Sequence, residues 1–252
     1  MPSDPSPAAP AAPAAPGPAP ATAPRTAPVT VRTPEPGAAV RGGVVVLQEA
    51  FGITPYVAEV CDALAAAGWA AAAPHLFWRA GDPTFGYDDL ATARELLGQL
   101  SADEVLSDTD DATAALLAQA GLPPARVAVL GFCIGGLLAF GVATRREVAA
   151  AVTFYGGPVD VARVPGFPSM TDAAGSLRAP WLGLYGSADA GIPVDSLPAL
   201  RAAVPAPSQL HVSEGAQHGF HCWGRPSVYD AAAATVAWSR ALAWLERRVP
   251  AA

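Results

Sequence analysis

One stretch decides the fold of this chain: Val127-Ala128-Val129-Leu130-Gly131-Phe132-Cys133-Ile134-Gly135-Gly136-Leu137-Leu138-Ala139-Phe140. Its β-branched start predicts a strand, and the apolar residues after the glycine-rich turn predict a helix. Gly131 and Gly135 have no Cβ, so neighbouring backbone can pass close to the turn. A strand–turn–helix with this spacing is typical of a nucleophile elbow, here with Cys133 where most such elbows carry serine.

The turn places Cys133 at the beginning of the predicted helix. The N–H groups that open a helix are unpaired and carry a partial positive charge, which suits a thiolate or an oxyanion. We therefore predict that Cys133 is a nucleophile. The alternative is a buried cysteine in an ordinary glycine-rich connection between a strand and a helix.

Composition limits the class of protein. The chain has 252 residues, 52% of them hydrophobic, and a net charge of −7 at pH 7. This size fits one domain with a substantial core, and the acidic balance argues against nucleic acid as a partner. No apolar run reaches the roughly 20 residues of a membrane helix, and we expect no secretory signal. Three widely spaced cysteines suit free thiols in the cytoplasm, without a disulfide framework or a zinc site.

The chain divides into two regions. Residues 1–27 are almost entirely proline and alanine, which predicts an extended or disordered tail. Residues 28–252 alternate predicted strands and helices, which indicates a single α/β domain with a mostly parallel sheet and helices on both faces. The predicted strands lie near residues 29–33, 44–47, 69–74, 127–130, 149–154, 181–185 and 209–212. The predicted helices lie near residues 55–67, 88–100, 103–120, 195–203 and 229–248, with one more after the elbow.

Reactive side chains directly follow several of these strands: Glu49, Arg79, Cys133, Asp189 and His218. Because the chemistry of such sheets lies beyond the carboxyl ends of the strands, we expect these side chains at one edge. A cysteine nucleophile needs a base, and the base needs an orienting group. Nucleophile, acid and histidine follow one another here in the chain order of α/β-hydrolases.

At these residues the chain resembles the dienelactone hydrolase family, also called carboxymethylenebutenolidases. The resemblance is carried by Gln48-Glu49-Ala50-Phe51-Gly52, Pro74-His75-Leu76-Phe77-Trp78-Arg79, Gly131-Phe132-Cys133-Ile134-Gly135-Gly136, Phe154-Tyr155-Gly156-Gly157 and the segments around Asp189 and His218. It covers about residues 28–248. It implies an α/β-hydrolase fold without a large cap domain, and hydrolysis of a small ester or lactone through a thioester on Cys133. Neither a cofactor nor a metal is expected.

The resemblance also implies roles for individual residues. The backbone N–H groups of Ile134 and Ala50 would form the oxyanion hole, and Arg79 would hold a substrate carboxylate. Glu49 would contact the resting thiol of Cys133, keep it protonated, and swing away when substrate arrives. Two alternatives stay open: Glu49 is a solvated residue paired with Arg79, or Arg79 is a surface arginine or a structural partner of Glu49.

The segment after His218 departs from the family pattern. Members that prefer a small dienelactone carboxylate have serine directly after the histidine and arginine three residues later. This chain has Gly219 and Cys222 at those positions, so one carboxylate clamp is missing. Arg225 is a candidate substitute, which puts the substrate in question more than the reaction.

Six aromatic residues fall in loops at the predicted site edge, where they line an acyl pocket or simply pack. They are Phe77, Trp78, Tyr87, Tyr155, Phe220 and Trp223. The expected partner is a small ester or lactone, neutral or anionic, with no nucleic acid and no membrane. The protein is expected to be a monomer or a weak dimer. Two other functions stay open: a general carboxylesterase or thioesterase on the same scaffold, and a non-catalytic ligand binder or thiol sensor.

Overall fold

A computed structural model of the protein describes residues 26–249, which form one sheet with helices around it. The strands are β1 Val29–Arg32, β2 Gly43–Leu47, β3 Ala70–Pro74, β4 Val127–Phe132, β5 Ala151–Phe154, β6 Trp181–Gly186 and β7 Gln209–Ser213. Across the sheet they lie in the order β1-β3-β2-β4-β5-β6-β7. The edge strand β1 pairs antiparallel with β3, and the other pairings are parallel. The predicted, mostly parallel sheet is confirmed.

The helices of the described residues are α1 Pro55–Ala66, α2 Leu90–Leu97, α3 Ala102–Ala120, α4 Ile134–Arg145, α5 Met170–Ala173, α6 Leu197–Ala203 and α7 Ala231–Arg248. Every residue of β2, β4, β5 and β6 is buried. A strand that is buried at successive positions is covered on both faces, since its side chains alternate between them. Helices therefore cover both faces of the sheet, as expected.

The strand β3 shows how pairing overrides local preference. It consists of four alanines and Pro74, and isolated alanine favours helix. In the fold β3 hydrogen-bonds with β1 on one side and β2 on the other, and its alanines are fully buried. Small side chains let α1 and α3 pack onto the strand. Elsewhere, α2 is shorter than predicted, and the loop expected after β5 contains the short α5.

The predicted tail lies mainly outside the described residues, which begin at residue 26. Ala27, assigned to the tail from composition, is buried and donates its N–H to Oδ2 of Asp111 at 2.8 Å. Its backbone is thus part of the folded body. Between residues 26 and 249, none of the helices combines the length and apolarity needed to cross a membrane.

Candidate active site

Cys133 lies at the sharp bend between β4 and α4. Its φ of 56° and ψ of −124° are rarely adopted by a residue with a side chain. The bend depends on Gly131, where a Cβ would lie 2.0 Å from the carbonyl oxygen of Gly135. The backbone N–H of Cys133 donates to the carbonyl of Phe154 at 3.0 Å, which ties the bend to β5. The structure thus contains an elbow that holds the thiol at the beginning of a helix.

Side chains from three loops meet at this edge of the sheet. Nε2 of His218 lies 3.1 Å from Sγ of Cys133, and Nδ1 lies 2.8 Å from Oδ2 of Asp189. Asp189 is buried, and its Oδ1 accepts hydrogen bonds from the backbone N–H groups of Gly191 at 2.8 Å and Ile192 at 3.1 Å. These bonds fix the carboxylate, which in turn orients the imidazole ring.

The charge of His218 follows from these neighbours. Burial lowers its pKa, but the charge of Cys133 and the hydrogen bonds with Asp189 and Cys133 outweigh burial and raise the pKa to about 10. The ring therefore favours the imidazolium form at neutral pH. An imidazolium 3.1 Å from a sulfur atom is suited to stabilise a thiolate.

Two backbone N–H groups near the elbow have no acceptor among the described residues. One belongs to Ala50, in the loop after β2, and the other to Ile134, the first residue of α4. Ile134 packs against Ala50, and a Cβ on Gly135 would lie 2.2 Å from the Leu47 carbonyl oxygen, so this loop and the helix start are adjacent. Two free N–H donors beside the Cys133 thiol match the arrangement that the resemblance implies for an oxyanion hole.

Glu49 faces the interior of the protein. It is fully buried, and neither carboxylate oxygen has a full hydrogen bond within residues 26–249. Burial raises its pKa, and the positive charges of Arg225 and His218 partly offset this. A solvated Glu49 paired with Arg79 is therefore excluded. The contact expected between Glu49 and the Cys133 thiol is also absent from the described hydrogen bonds.

Arg79 binds a carboxylate of the protein itself, whereas the resemblance implies that it binds a substrate carboxylate. Its Nη1 and Nη2 donate to the two carboxylate oxygens of Asp108, on α3, at 2.8 and 2.9 Å. Asp108 is buried, and the guanidinium also lies 4.5 Å from the ring centre of Trp78. Because Asp108 occupies this fork, Arg79 is neither the free carboxylate clamp that was expected nor the structural partner of Glu49 that was the alternative.

Arg225 lies next to Gly219, one of the two positions at which the chain departs from the family's carboxylate clamp. Its guanidinium is 5.9 Å from the ring centres of both Phe51 and Tyr87, and it makes no ion pair with any described carboxylate within 4.0 Å. A Cβ on Gly219 would lie 2.4 Å from Nη1 of Arg225. The glycine directly after His218 thus leaves the space that the guanidinium occupies.

Tyr155 and Phe220 differ from the expected pocket lining. Both are fully buried, and their rings pack at 5.3 Å between centres. The Tyr155 ring also lies 5.2 Å from that of His218. Of the two roles left open by the sequence, the structure gives packing to both, since a fully buried ring has no surface to offer a substrate.

Sequence reasoning placed Tyr87 in a loop at the site edge but missed Tyr56, and it predicted the contacts of neither tyrosine. The Tyr56 hydroxyl lies 2.8 Å from Nδ1 of His221, and the Cys222 thiol donates to the Tyr87 hydroxyl at 3.3 Å. These contacts join positions 165 and 135 residues apart. No local pattern in the sequence signals such pairs. In the described part of the chain, no group of three or more His, Cys, Asp or Glu side chains is arranged to hold a metal ion.

The fold and the site together define the class. A mostly parallel sheet, a strained elbow after β4, and contacts from Cys133 to His218 and from His218 to Asp189 are the features of an α/β-hydrolase.

Comparisons with known proteins narrow the class to a family. The model of the Dienelactone hydrolase family matches residues 29–249. A protein of Escherichia coli (strain K12) named "Putative carboxymethylenebutenolidase" is 34% identical over 208 residues, 81% of this chain and 76% of that protein. One of the same name from Methylorubrum extorquens is 35% identical over 210 residues, 81% of this chain and 71% of its own. The crystal structure of a "Putative Dienelactone Hydrolase" from Klebsiella pneumoniae has a TM-score of 0.75 at 31% identity, covering 87% of this chain and 92% of that one. The chain belongs to the dienelactone hydrolase family and is a carboxylic ester hydrolase.

Proposed function

We propose that the protein hydrolyses small esters or lactones through a thioester formed on Cys133. One observation carries this proposal: the unbroken contact from Sγ of Cys133 to His218 and on to Asp189, at distances of 3.1 and 2.8 Å. Nucleophile, base and orienting acid each have the neighbour that this chemistry requires.

Acylation follows from the geometry of the elbow. The Cys133 thiolate attacks the substrate carbonyl carbon and forms a C–S bond, while the carbonyl oxygen becomes an oxyanion. The free N–H groups of Ala50 and Ile134 donate to that oxyanion, and one such donor typically contributes about 3–4 kcal/mol. The His218 imidazolium then gives its proton to the leaving alkoxide as the C–O bond breaks.

Deacylation uses the same groups in reverse order. Neutral His218 takes a proton from water, and the oxygen of that water attacks the thioester carbonyl. The C–S bond breaks, the acid leaves, and the thiolate and imidazolium are restored. Asp189 keeps Nδ1 protonated in both steps, so Nε2 always faces the reacting atoms.

The resting state we propose replaces the masked thiol expected from the resemblance. In this resting state the Cys133 thiolate pairs with the His218 imidazolium. The sulfur atom lies 3.1 Å from Nε2 of His218, whereas neither oxygen of Glu49 makes a full hydrogen bond. The positive charges of Arg225 and His218 lie close enough to Glu49 to lower its pKa and offset part of the effect of burial.

Arg225 is the group that we propose to bind an anionic substrate. A guanidinium fork recognises carboxylates with two parallel hydrogen bonds, and Arg225 has no such partner among the described residues. It lies beside Phe51, which follows Ala50 in the predicted oxyanion loop. Esters or lactones with a carboxylate on the acyl part are therefore the preferred substrates.

A comparison of cysteine variants tests the proposed function. Neutral and anionic aryl esters and lactones would be hydrolysed by the wild type, by Cys133→Ala and by Cys61→Ala, a buried cysteine of α1. We expect Cys133→Ala to lower kcat by about 1,000-fold or more. Cys61→Ala should have the kcat of the wild type. Wild-type kcat in Cys133→Ala would refute the mechanism. Ligand binding without turnover of any ester would favour the non-catalytic binder.

A further inference from the structure

A cavity lies between α1 and α7, and neither Cys133, His218 nor Asp189 lines it. Its volume is about 160 Å³. The walls are formed by Val60, Ala63, His221, Trp223, Tyr229, Ala234, Thr235 and Trp238. An apolar cavity of about 150 Å³ is large enough to bind benzene, so a single aromatic ring fits this one.

Half of the residues that line the cavity carry an aromatic ring. The ring centre of Trp223 lies 5.8 Å from that of His221, and the ring centre of Trp238 lies 5.4 Å from it. Trp223 is 37% exposed and Tyr229 is 40% exposed, which is unusual for such large apolar side chains. Aromatic rings pack favourably against one another in stacked or edge-to-face arrangements. The cavity therefore suits a flat, aromatic occupant.

His221 brings to these walls a ring nitrogen that has no hydrogen-bond partner among the described residues. The residue is 5% exposed, and its Nδ1 lies 2.8 Å from the Tyr56 hydroxyl. Its Nε2 has no hydrogen-bond partner within residues 26–249, although His221 lines the cavity. Burial lowers the pKa of His221 to about 4, so at neutral pH the ring is uncharged and one nitrogen carries a lone pair.

A chain of hydroxyls shows which nitrogen that is. The Tyr56 and Tyr155 hydroxyls are 3.4 Å apart, and the Tyr155 hydroxyl faces the Glu49 carboxylate and lowers its pKa, although no full hydrogen bond forms. An ionised carboxylate only accepts hydrogen bonds. The direction that serves it runs from Nδ1–H of His221 to Tyr56, from Tyr56 to Tyr155, and on towards Glu49. In that direction Nε2 of His221, a residue that lines the cavity, is left as an acceptor.

We propose that this cavity binds a phenol-type ligand, a single aromatic ring with one O–H donor. The ring lies against Trp223 and Trp238, and the O–H donates to Nε2 of His221. The site goes beyond the proposed ester hydrolysis, since it uses none of the residues that carry out that reaction.

Calorimetric titration with phenol and anisole tests the proposal on the full chain. The two molecules have similar rings, but anisole has no O–H to donate. Phenol should bind about fivefold to tenfold more tightly than anisole, the usual worth of one hydrogen bond. The preference should disappear in His221→Phe. Protein alkylated at Cys133 should bind phenol as the untreated protein does, which separates this site from the active site.

A pair of alanine variants on α1 locates the binding. Ala63 lines the cavity, whereas Ala66 is exposed on the same helix. Ala63→Leu should weaken phenol binding by about tenfold or more because its side chain fills the space, and Ala66→Leu should leave it unchanged. Equal affinity for phenol and anisole in the wild type would overturn the proposal. So would unchanged phenol binding in a folded Ala63→Leu variant; if that variant fails to fold, the His221→Phe titration decides.

Discussion

Two features of Cys133 act on its thiol in the same direction. Its strained backbone, with φ of 56°, holds the sulfur at the beginning of α4, where helix N–H groups favour negative charge. Its side chain meets His218 at 3.1 Å, and the pKa of His218 is raised to about 10. Both fit the proposed ion pair between Cys133 and His218, which takes the place of the contact with Glu49 that the resemblance implies.

Alkylation by iodoacetamide measures this ion pair. We expect it to modify Cys133 at pH 7, and His218→Ala to slow the reaction about tenfold or more, because the countercharge is lost. A raised pKa means that the stabilisation exists at low pH and is lost as pH rises through about 10. The difference between wild type and variant should therefore vanish near that pH. Equal alkylation rates at pH 7, with the modified cysteine identified by mass spectrometry, would contradict the ion pair.

The departure of this chain from the family at Gly219 was visible in the sequence, but its consequence was not. A glycine after His218 removes a side chain, and only the folded loop shows that Arg225 uses the space. The spacing of seven residues between His218 and Arg225 does not define a contact, because the conformation of a loop is set by the elements around it.

A pair of glycine variants tests Arg225 as the substrate clamp. Gly219→Ala would place a Cβ 2.4 Å from Nη1 of Arg225 and displace the guanidinium. KM for anionic esters should rise severalfold, with little change for neutral ones. Gly215→Ala is the matched control, since its φ of +72° resembles the +84° of Gly219 but no heavy atom lies within 4 Å. A similar rise in KM for neutral and anionic esters would remove Arg225 from substrate recognition.

At the scale of elements, the ion pair between Arg79 and Asp108 attaches the loop after β3 to α3. The strands and helices were mostly predictable because their apolar patterns are local. This attachment was not, since Asp108 is 29 residues from Arg79 and looks like any other acid on a helix. The sequence predicted correctly that Arg79 follows a strand, which is β3. It did not predict that the side chain points towards α3.

Arg79→Met should reduce stability and leave substrate preference unchanged. Loss of the guanidinium leaves the buried Asp108 carboxylate without its two hydrogen bonds from Arg79. The free energy of unfolding should therefore fall by about 2 kcal/mol. Urea denaturation measures this, and Arg146→Met is the control, because its pair with Asp110 is exposed and such pairs contribute at most about 1 kcal/mol. Unchanged stability together with a raised KM for anionic esters would restore Arg79 as the clamp.

At the scale of the whole molecule, the sheet brings residues from distant parts of the chain to one edge. The rule that chemistry lies beyond the carboxyl ends of parallel strands placed Cys133, Asp189 and His218 correctly as neighbours. The same rule could not say which way Glu49 faces, because that depends on every element packed around it. Its burial without a full hydrogen bond is a property of the complete fold.

Glu49→Gln should make the protein more stable, and increasingly so at higher pH. Burial raises the pKa of Glu49, so the folded state binds the proton of this carboxyl more tightly than the unfolded chain does. The resulting stabilisation is present below the ordinary pKa and is lost as pH rises through the raised value. Glutamine stays neutral, so its advantage in urea denaturation should be larger at pH 8 than at pH 4. Glu95→Gln, exposed on α2, should change stability little at either pH. An equal gain in the free energy of unfolding at both pH values would show that the charge of Glu49 does not destabilise the folded state.

Trapping of the acyl-enzyme tests the central claim most directly. The protein would be mixed with an aryl acetate, quenched in acid within the first turnovers, digested, and its peptides weighed by mass spectrometry. We predict one acetyl group on the peptide that contains Cys133, released by neutral hydroxylamine as a thioester is, and none in Cys133→Ala. Steady ester turnover with no acyl group on Cys133, and equal turnover in Cys133→Ala, would contradict the account.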